Sequence, residues 1–174
     1  LLVNMLPQDR KELINTDTAI PSGPTVSVSD GNKAQNRTYQ DLLQNRNDEY
    51  NFEQLTRSGL FKVSLNGTAT AWKEARMYDD IDFSPDGNYV MVSHLKKPFS
   101  YLVPYSRFPT ETIIYDKAGK EVQKVNDVPL IEDLPQGFMA VQTGRRHLSW
   151  RNDAPATLVY VSVVDGGDPE NDVP

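Results

Sequence analysis

The feature that most constrains the fold of this sequence is a series of short strand-like runs separated by tight turns. Residues 60–65 (Leu-Phe-Lys-Val-Ser-Leu) alternate in the manner of a half-buried strand. They lead into Asn66-Gly67, a pair that favours the positive φ angles of a type I′ hairpin turn. Residues 68–72 then return as the partner strand. The sequence therefore predicts an antiparallel hairpin at this point.

Similar units recur along the chain. Residues 112–125 repeat the hairpin pattern around Ala118-Gly119. A second kind of unit, residues 81–93, turns at Ser84-Pro85-Asp86-Gly87, where Pro presets φ and Gly accepts a left-handed backbone. A degenerate copy of this second unit spans residues 148–161. The two kinds of hairpin therefore alternate.

Their spacing indicates a fold class. The repeat is roughly 50–65 residues, somewhat longer than the ~40–50 that is typical of propeller repeats. The order of the units fits the inner and outer hairpins of four-stranded propeller blades. We therefore predict an all-β chain, a partial β-propeller of about two four-stranded antiparallel blade-equivalents. On this interpretation residues 1–174 are a fragment of one propeller domain, and residues 1–6 are the second strand of a blade.

Long insertions account for the extra length of the repeat. Residues 7–58 interrupt the first blade and exceed the length of an ordinary loop. Thr38 would cap a short helix near residues 39–46, with Asp41 as the acidic partner of a capping box. Two further insertions span residues 95–109 and 126–142. The aromatic side chains of residues 95–109 either pack this insertion onto the blade, which is the default interpretation, or line a peptide-binding pocket.

Composition and charge exclude several functions. The net charge of -6 argues against a nucleic-acid partner, because phosphate binding needs a basic face. No run approaches the roughly 18 apolar residues of a membrane helix. Cysteine is absent. The two histidines, His94 and His147, belong to different predicted blades, and the acidic clusters at residues 79–82 and 165–170 lack the ligand spacing of an EF-hand loop. No cofactor or metal site is predicted.

Several blocks of the sequence carry a more specific signal, and together they span nearly the whole chain. They are Pro21-Ser22-Gly23-Pro24, Arg37-Thr38-Tyr39-Gln40-Asp41-Leu42-Leu43, Lys97-Pro98-Phe99-Ser100-Tyr101-Leu102-Val103-Pro104, Arg107-Phe108-Pro109, Asp127-Val128-Pro129-Leu130 with Glu132-Asp133, Ser149-Trp150-Arg151 and Asp165-Gly166-Gly167-Asp168. In residues and order they resemble the N-terminal propeller of glutamyl endopeptidases, serine peptidases of the prolyl oligopeptidase clan.

The resemblance implies a longer parent protein, a serine-type endopeptidase or aminopeptidase. In it a propeller would gate and orient peptide substrates for a C-terminal α/β-hydrolase domain, and cleavage would follow acidic residues. No Gly-x-Ser-x-Gly nucleophile elbow occurs in residues 1–174. We therefore expect a non-catalytic chain, with the hydrolase domain absent and its serine triad beyond Pro174. The residues indicate no compartment, and for a bacterial parent we expect export, for example to the periplasm. The alternative is a non-enzymatic propeller scaffold for protein–protein interaction.

Four arginines are candidates for contact with an acidic substrate. The planar guanidinium binds a carboxylate through two parallel hydrogen bonds. Arg107, Arg145, Arg146 and Arg151 lie in or beside the blocks that carry the resemblance. The hypothesis is that one or more of them helps attract or hold the substrate carboxylate, and the default interpretation is that all four are surface or blade-packing residues. Because a truncated propeller leaves unpaired strand edges, we also predict self-association through open blade edges.

Overall fold

The computed structural model of the chain describes residues 1–15, 18, 20, 39–134 and 139–171. Over these residues the secondary structure is mostly β, as predicted, with a six-stranded antiparallel sheet, a two-stranded hairpin and a short helix. The strands are β1 (Leu2–Met5), β2 (Ser58–Val63), β3 (Ala69–Phe83), β4 (Tyr89–Leu95), β5 (Thr110–Asp116), β6 (Glu121–Val128), β7 (Arg146–Trp150) and β8 (Leu158–Val161). The helix α1 spans Arg46–Thr56, and one 3-10 turn covers Tyr105–Arg107.

Strands β1 to β6 pair in chain order, each antiparallel to the next. The long strand β3 is used twice: residues 69–76 pair with β2, and residues 77–83 pair with β4. The three hairpins predicted within residues 60–125 are therefore present, and β7 pairs with β8 as expected for the degenerate copy. The sequence did not reveal that β3 is continuous between two of these hairpins.

The hairpin at Gly67 closes through a three-residue loop and not through the predicted two-residue type I′ turn. The Ser64 N–H donates to the Thr68 carbonyl at 3.0 Å, and the Gly67 N–H donates to the Ser64 carbonyl at 3.0 Å. A type I′ turn needs a positive φ at both central residues. Of Asn66 and Gly67, only the glycine has one, at 84°. The hairpin at Gly119, with φ 90°, closes in the same way.

The helix begins at Arg46, later than the predicted span of residues 39–46. Its N-cap is Asn45, whose Oδ1 accepts the backbone N–H groups of residues 47 and 48 at 2.9 and 3.1 Å. The predicted cap Thr38 lies outside the described residues, and Asp41 has a left-handed φ of 56° that a helix cannot continue through. At 11 residues α1 is too short to cross a membrane, and the described part of the chain has no helix that is long and apolar enough to do so.

Successive side chains along β4 and β5 point to opposite faces of the sheet. At the centre of the sheet the side chains on both faces are apolar. One face carries a buried cluster made of Leu60, Val90, Val92, Ile113 and Tyr115. The other carries Met91, Ile114, Val125 and Trp150. Trp150 comes from β7, and its indole N–H donates to the Asp82 carbonyl at 3.3 Å. The β7–β8 hairpin is thereby fastened to the end of β3.

The loop between β4 and β5 packs against the helix. Its residues Phe99 and Phe108 are buried in a third cluster with Met77 and Leu95. Phe52 of α1 meets both rings edge-on, with centroid distances of 5.2 Å to Phe99 and 5.8 Å to Phe108. These two aromatic residues therefore serve to pack the insertion onto the sheet, in agreement with the default expectation.

Candidate functional site

Three of the four arginines selected from the sequence, Arg107, Arg145 and Arg146, line one pocket of about 460 Å³. The pocket lies where the loop before β5, the segment after β6 and the start of β7 meet. Its described lining also includes His147, Asn126 and Gln142, and it contains no Asp or Glu. The described wall is therefore rich in hydrogen-bond donors and carries positive charge with no carboxylate to neutralise it.

Arg107 is held in the pocket wall by an aromatic ring and a backbone bond. Its guanidinium carbon lies 5.4 Å from the centroid of the Tyr39 ring. Its carbonyl oxygen accepts the N–H of Ile131 at 3.0 Å. A stacked guanidinium uses its face for the cation–π contact, so its N–H groups, which lie in the plane, remain able to bind another group.

Arg145 is engaged mainly by the protein itself. Its Nη1 donates to the Val125 carbonyl at 2.8 Å, and its guanidinium carbon lies 4.9 Å from the centroid of the Tyr160 ring. Its own carbonyl accepts Nδ2 of Asn126 at 3.1 Å. These contacts join β6 to the β7–β8 hairpin. Arg145 therefore contributes charge to the pocket, while part of its hydrogen-bonding capacity has a structural use.

Arg146 has an unused donor. Its Nε is buried and has no hydrogen-bond partner among the described residues. The next residue, His147, has a left-handed φ of 52°, and the register with β8 shifts between Arg146 and Ser149. Such a bulge redirects side chains and is frequent beside binding sites. A buried donor without a partner is energetically costly, and this sets Arg146 apart from Arg145, whose Nη1 is bonded to Val125.

Arg151 does not reach this pocket's described lining. It follows β7, and its guanidinium donates to Asp153 through Nε at 2.9 Å and Nη2 at 2.5 Å. This pair raises the pKa of Arg151 and lowers the pKa of Asp153. Both side chains are exposed to solvent. The structure thus separates Arg151 from the other three candidates and gives it a partner of its own.

A second polar cluster lies between β4, β5 and β6. His94 Nε2 is 3.5 Å from Glu111 Oε2, and Lys124 Nζ is 2.5 Å from Glu111 Oε1. The hydrogen bond from Lys124 lowers the pKa of Glu111. Burial, and then the charge of Arg76, lowers the pKa of His94. The His94 and Glu111 side chains are only 8% and 13% exposed, and their contacts connect the three strands.

The acidic clusters are used by the local backbone. Asp80 Oδ1 accepts the N–H of Ile81, and Asp165 Oδ1 accepts the N–H of Gly167, at 2.9 and 2.8 Å. Within the described ranges, no group of three or more His, Asp or Glu side chains is arranged to hold a metal ion.

Comparison with known proteins adds to this geometry. The chain is 37% identical over 156 residues, 89% of its length, to a rice protein named "Probable glutamyl endopeptidase, chloroplastic" (Oryza sativa subsp. japonica). It is 37% identical over 174 residues, 99% of its length, to an Arabidopsis thaliana protein of the same name.

The chain is similar to glutamyl endopeptidases. It spans 17% and 18% of the length of these two relatives, so it is related to peptidases and corresponds to a part of them. No model of a protein family matches the chain, and no solved structure matches it.

Sequence reasoning did not select His147, Asn126 and Gln142, which also line the pocket. The available signal was the run Arg145-Arg146-His147, in which three donor-bearing side chains follow one another. In a regular strand such neighbours alternate between the two faces of the sheet. The bulge at His147 changes that alternation, and it depends on the pairing with β8, which the run itself does not specify.

Proposed function

We propose that the chain is the substrate-facing, non-catalytic part of a serine peptidase that cleaves after acidic residues. We further propose that the pocket of Arg107, Arg145 and Arg146 receives the substrate carboxylate. The observation that carries the proposal is the buried Nε of Arg146, which has no hydrogen-bond partner among the described residues, in a pocket whose described lining has no acidic side chain. The name of the two plant relatives, glutamyl endopeptidase, supports an acidic substrate.

The chemistry of the pocket favours glutamate over glutamine. A carboxylate accepts at both oxygens and carries a full negative charge, so it satisfies the Arg146 donor and is attracted by all three guanidinium groups. An amide of the same shape is neutral and presents an NH₂ group in place of one oxygen. Partial enclosure of the pocket increases the preference for glutamate over glutamine, because charges interact more strongly away from bulk water.

We also propose that the strands belong to the blades of a β-propeller. Support comes from β3, which pairs with β2 along residues 69–76 and with β4 along residues 77–83. One continuous strand thus joins the group β1–β2–β3 to the group β3–β4–β5–β6. In a propeller the last strand of one blade leads into the first strand of the next. The blades would gate and orient peptides for the hydrolase domain of the parent protein.

The test of the carboxylate pocket uses the full-length parent enzyme and two peptides that differ only in Glu or Gln at the cleavage position. In Arg146→Gln, kcat/KM for the Glu peptide should fall about tenfold or more relative to the Gln peptide, because a hydrogen bond to a charged group contributes about 1.5–3 kcal/mol. Arg151→Gln is the matched control and should leave the Glu-to-Gln ratio unchanged. Equal losses on both peptides in Arg146→Gln would show that this arginine is structural.

The non-catalytic assignment has its own test. The purified chain should not hydrolyse a fluorogenic acidic peptide, because it contains no Gly-x-Ser-x-Gly elbow. The coding sequence beyond Pro174 should encode that elbow. A coding sequence that ends without one would favour the non-enzymatic scaffold and overturn the peptidase proposal.

A further inference from the structure

One segment of the chain, residues 140–147, supplies much of the wall of the pocket that contains the three arginines. Six residues of this wall segment line the pocket, namely Ala140, Val141, Gln142, Arg145, Arg146 and His147. The segment runs from a stretch without regular secondary structure into the start of β7. Because two of the three pocket arginines belong to it, the position of the wall segment determines where their guanidinium groups lie.

The end of the wall segment that enters β7 is held by β6 and β8. Nη1 of Arg145 donates to the Val125 carbonyl at 2.8 Å, and Nδ2 of Asn126 donates to the carbonyl of Arg145 at 3.1 Å. Arg146 pairs with Val161 of β8. This end of the segment is therefore fixed by contacts with two strands.

The other end of the wall segment is held by a turn that follows β8, residues 165–171. The N–H of Val141 donates to the carbonyl oxygen of Gly167 at 3.0 Å. Gly167 is buried, and a Cβ added to it would lie 2.0 Å from the carbonyl oxygen of Val141 and 3.1 Å from its carbonyl carbon. Glycine permits so close an approach of two backbones because it has no Cβ. The turn therefore packs directly on the backbone of Val141.

The turn is held in shape by hydrogen bonds of its own. Oδ1 of Asp165 accepts the N–H of Gly167 at 2.8 Å, and Nδ2 of Asn171 donates to the carbonyl oxygen of Asp165 at 2.9 Å. Gly166 and Gly167 have positive φ angles of 73° and 81°, which glycine adopts at little cost. These bonds lie within the turn and fix the backbone of Gly167 at its contact with Val141.

We infer that Gly167 is a positioning residue for carboxylate recognition in this pocket. Gly167 is not among the described residues that line the pocket, so it acts through Val141, whose backbone it fixes. A side chain at position 167 would push the wall segment away from the turn. The guanidinium groups further along that segment would then be displaced from the geometry that a carboxylate requires. This inference rests on the proposed function, because it takes the pocket to be the site of the substrate carboxylate.

Two alanine substitutions in the full-length parent enzyme test the inference, with the same Glu and Gln peptides. In Gly167→Ala the new Cβ would lie 2.0 Å from the Val141 oxygen, and because real Cβ atoms stay beyond 3.0 Å, the two backbones must separate by about 1 Å. The ratio of kcat/KM for the Glu peptide to that for the Gln peptide should fall about tenfold, since a misplacement of roughly 1 Å can cost up to about 100-fold. Gly166→Ala is the matched control: its φ is also positive, but its Cβ meets only Nδ2 of Asn171, at 3.9 Å, and the ratio should not change.

Asp165 provides a second test, which covers the case in which Gly167→Ala does not fold. Asp165→Ala removes the acceptor that fixes the N–H of Gly167, whereas Asp165→Asn keeps an oxygen that can accept it. The Glu-to-Gln ratio should fall about two- to tenfold in Asp165→Ala, the range expected for the loss of one hydrogen bond, and should be restored in Asp165→Asn. A general loss of stability would lower activity on both peptides equally and leave the ratio unchanged.

Arg146→Gln separates failure of this inference from failure of the proposed function. If Arg146→Gln lowers the ratio while Gly167→Ala and Asp165→Ala behave like Gly166→Ala, the pocket binds the carboxylate and the inference about Gly167 is wrong. If none of these variants changes the ratio, the proposed function is wrong and the inference fails with it. Equal falls in Gly166→Ala and Gly167→Ala would also overturn the inference, because the effect would then come from the left-handed backbone and not from the contact with Val141.

Discussion

Nη1 of Arg145 donates to the carbonyl oxygen of Val125 at 2.8 Å, so this arginine joins the β7–β8 hairpin to β6. The buried Nε of its neighbour Arg146 has no hydrogen-bond partner in the part of the chain that the structure describes. Two adjacent arginines in the same pocket therefore have different tasks. Arg145 joins two strands, and Arg146 is the residue that we propose binds the substrate carboxylate.

Arg145→Ala should lower the free energy of unfolding by about 1–2 kcal/mol, because it removes a charged hydrogen bond to Val125 and the cation–π contact with Tyr160. Chemical denaturation at low ionic strength measures the change. Arg151→Ala is the control, since it removes only an exposed pair with Asp153 and should leave the midpoint within error of the parent. Equal shifts for the two variants would contradict the structural role of Arg145.

Gly67 and Gly119 allow backbone strain to be separated from steric clash. Their φ angles are similar, 84° and 90°. An added Cβ meets nothing within 4 Å at Gly67, whereas at Gly119 it lies 2.8 Å from Nε1 of Trp72. Gly67→Ala should destabilise by about 1–2 kcal/mol through the left-handed backbone alone. Gly119→Ala should cost roughly 1–3 kcal/mol more, because the indole must move. Equal melting temperatures for the two variants would contradict this.

The hairpins could be predicted because turn residues act locally. Glycines at 67, 87 and 119 and the Ser-Pro-Asp-Gly turn mark chain reversals wherever they occur. The continuity of β3 could not be predicted, because its middle, Lys73-Glu74-Ala75-Arg76, is polar and reads as a connection between strands. It stays extended because residues 73 and 76 pair with β2, whereas residues from 77 onwards pair with β4.

The position of the helix depended on contacts far along the chain. Tyr39, Leu42 and Leu43 have a helix-like spacing, but Tyr39 and Leu43 instead pack as part of the non-helical segment before α1. The true helix is polar, and it is held by Gln54 and Asn51, which accept the backbone N–H groups of residues 11 and 14 at 3.0 and 2.8 Å. For the site, the ability of arginine to bind carboxylates pointed to Arg107, Arg145 and Arg146 before their structure was known. That these three residues line one pocket depends on tertiary packing, which the sequence does not specify.

Trp150 should be the most sensitive position of the β7–β8 hairpin. Trp150→Ala should destabilise by about 3–5 kcal/mol, because a 7% exposed indole leaves a cavity beside Met91 and Ile114. Trp150→Phe keeps most of the packing and removes the N–H that donates to Asp82, so it should cost about 0.5–1.5 kcal/mol for the hydrogen bond. Thermal unfolding of both variants checks the order, which would be contradicted if Trp150→Phe were as costly as Trp150→Ala.

The last prediction concerns pH. Burial, aided by the charge of Arg76, lowers the pKa of His94 below its ordinary 6.5. The unfolded chain then binds a proton at His94 in a pH range where the folded chain does not. The contribution of His94 to the free energy of unfolding is therefore complete above pH 6.5. It declines as the pH falls from 6.5 towards the lowered pKa of the folded state. The pKa of Glu111 is lowered from 4.5, so stability lost through that carboxyl belongs to a separate window below pH 4.5.

Urea unfolding at about pH 7.5 and about pH 5.5 isolates the histidine window. His94→Gln replaces the titrating ring with an amide that cannot gain a proton, so it should lose part of the decline between these two pH values. His147→Gln is the matched control, because His147 is exposed at the pocket, whereas the ion pairs of Glu111 are with His94, Lys96 and Lys124. It should keep the full decline. If the parent, His94→Gln and His147→Gln all lose stability equally between the two pH values, burial of His94 is not the source of the pH dependence.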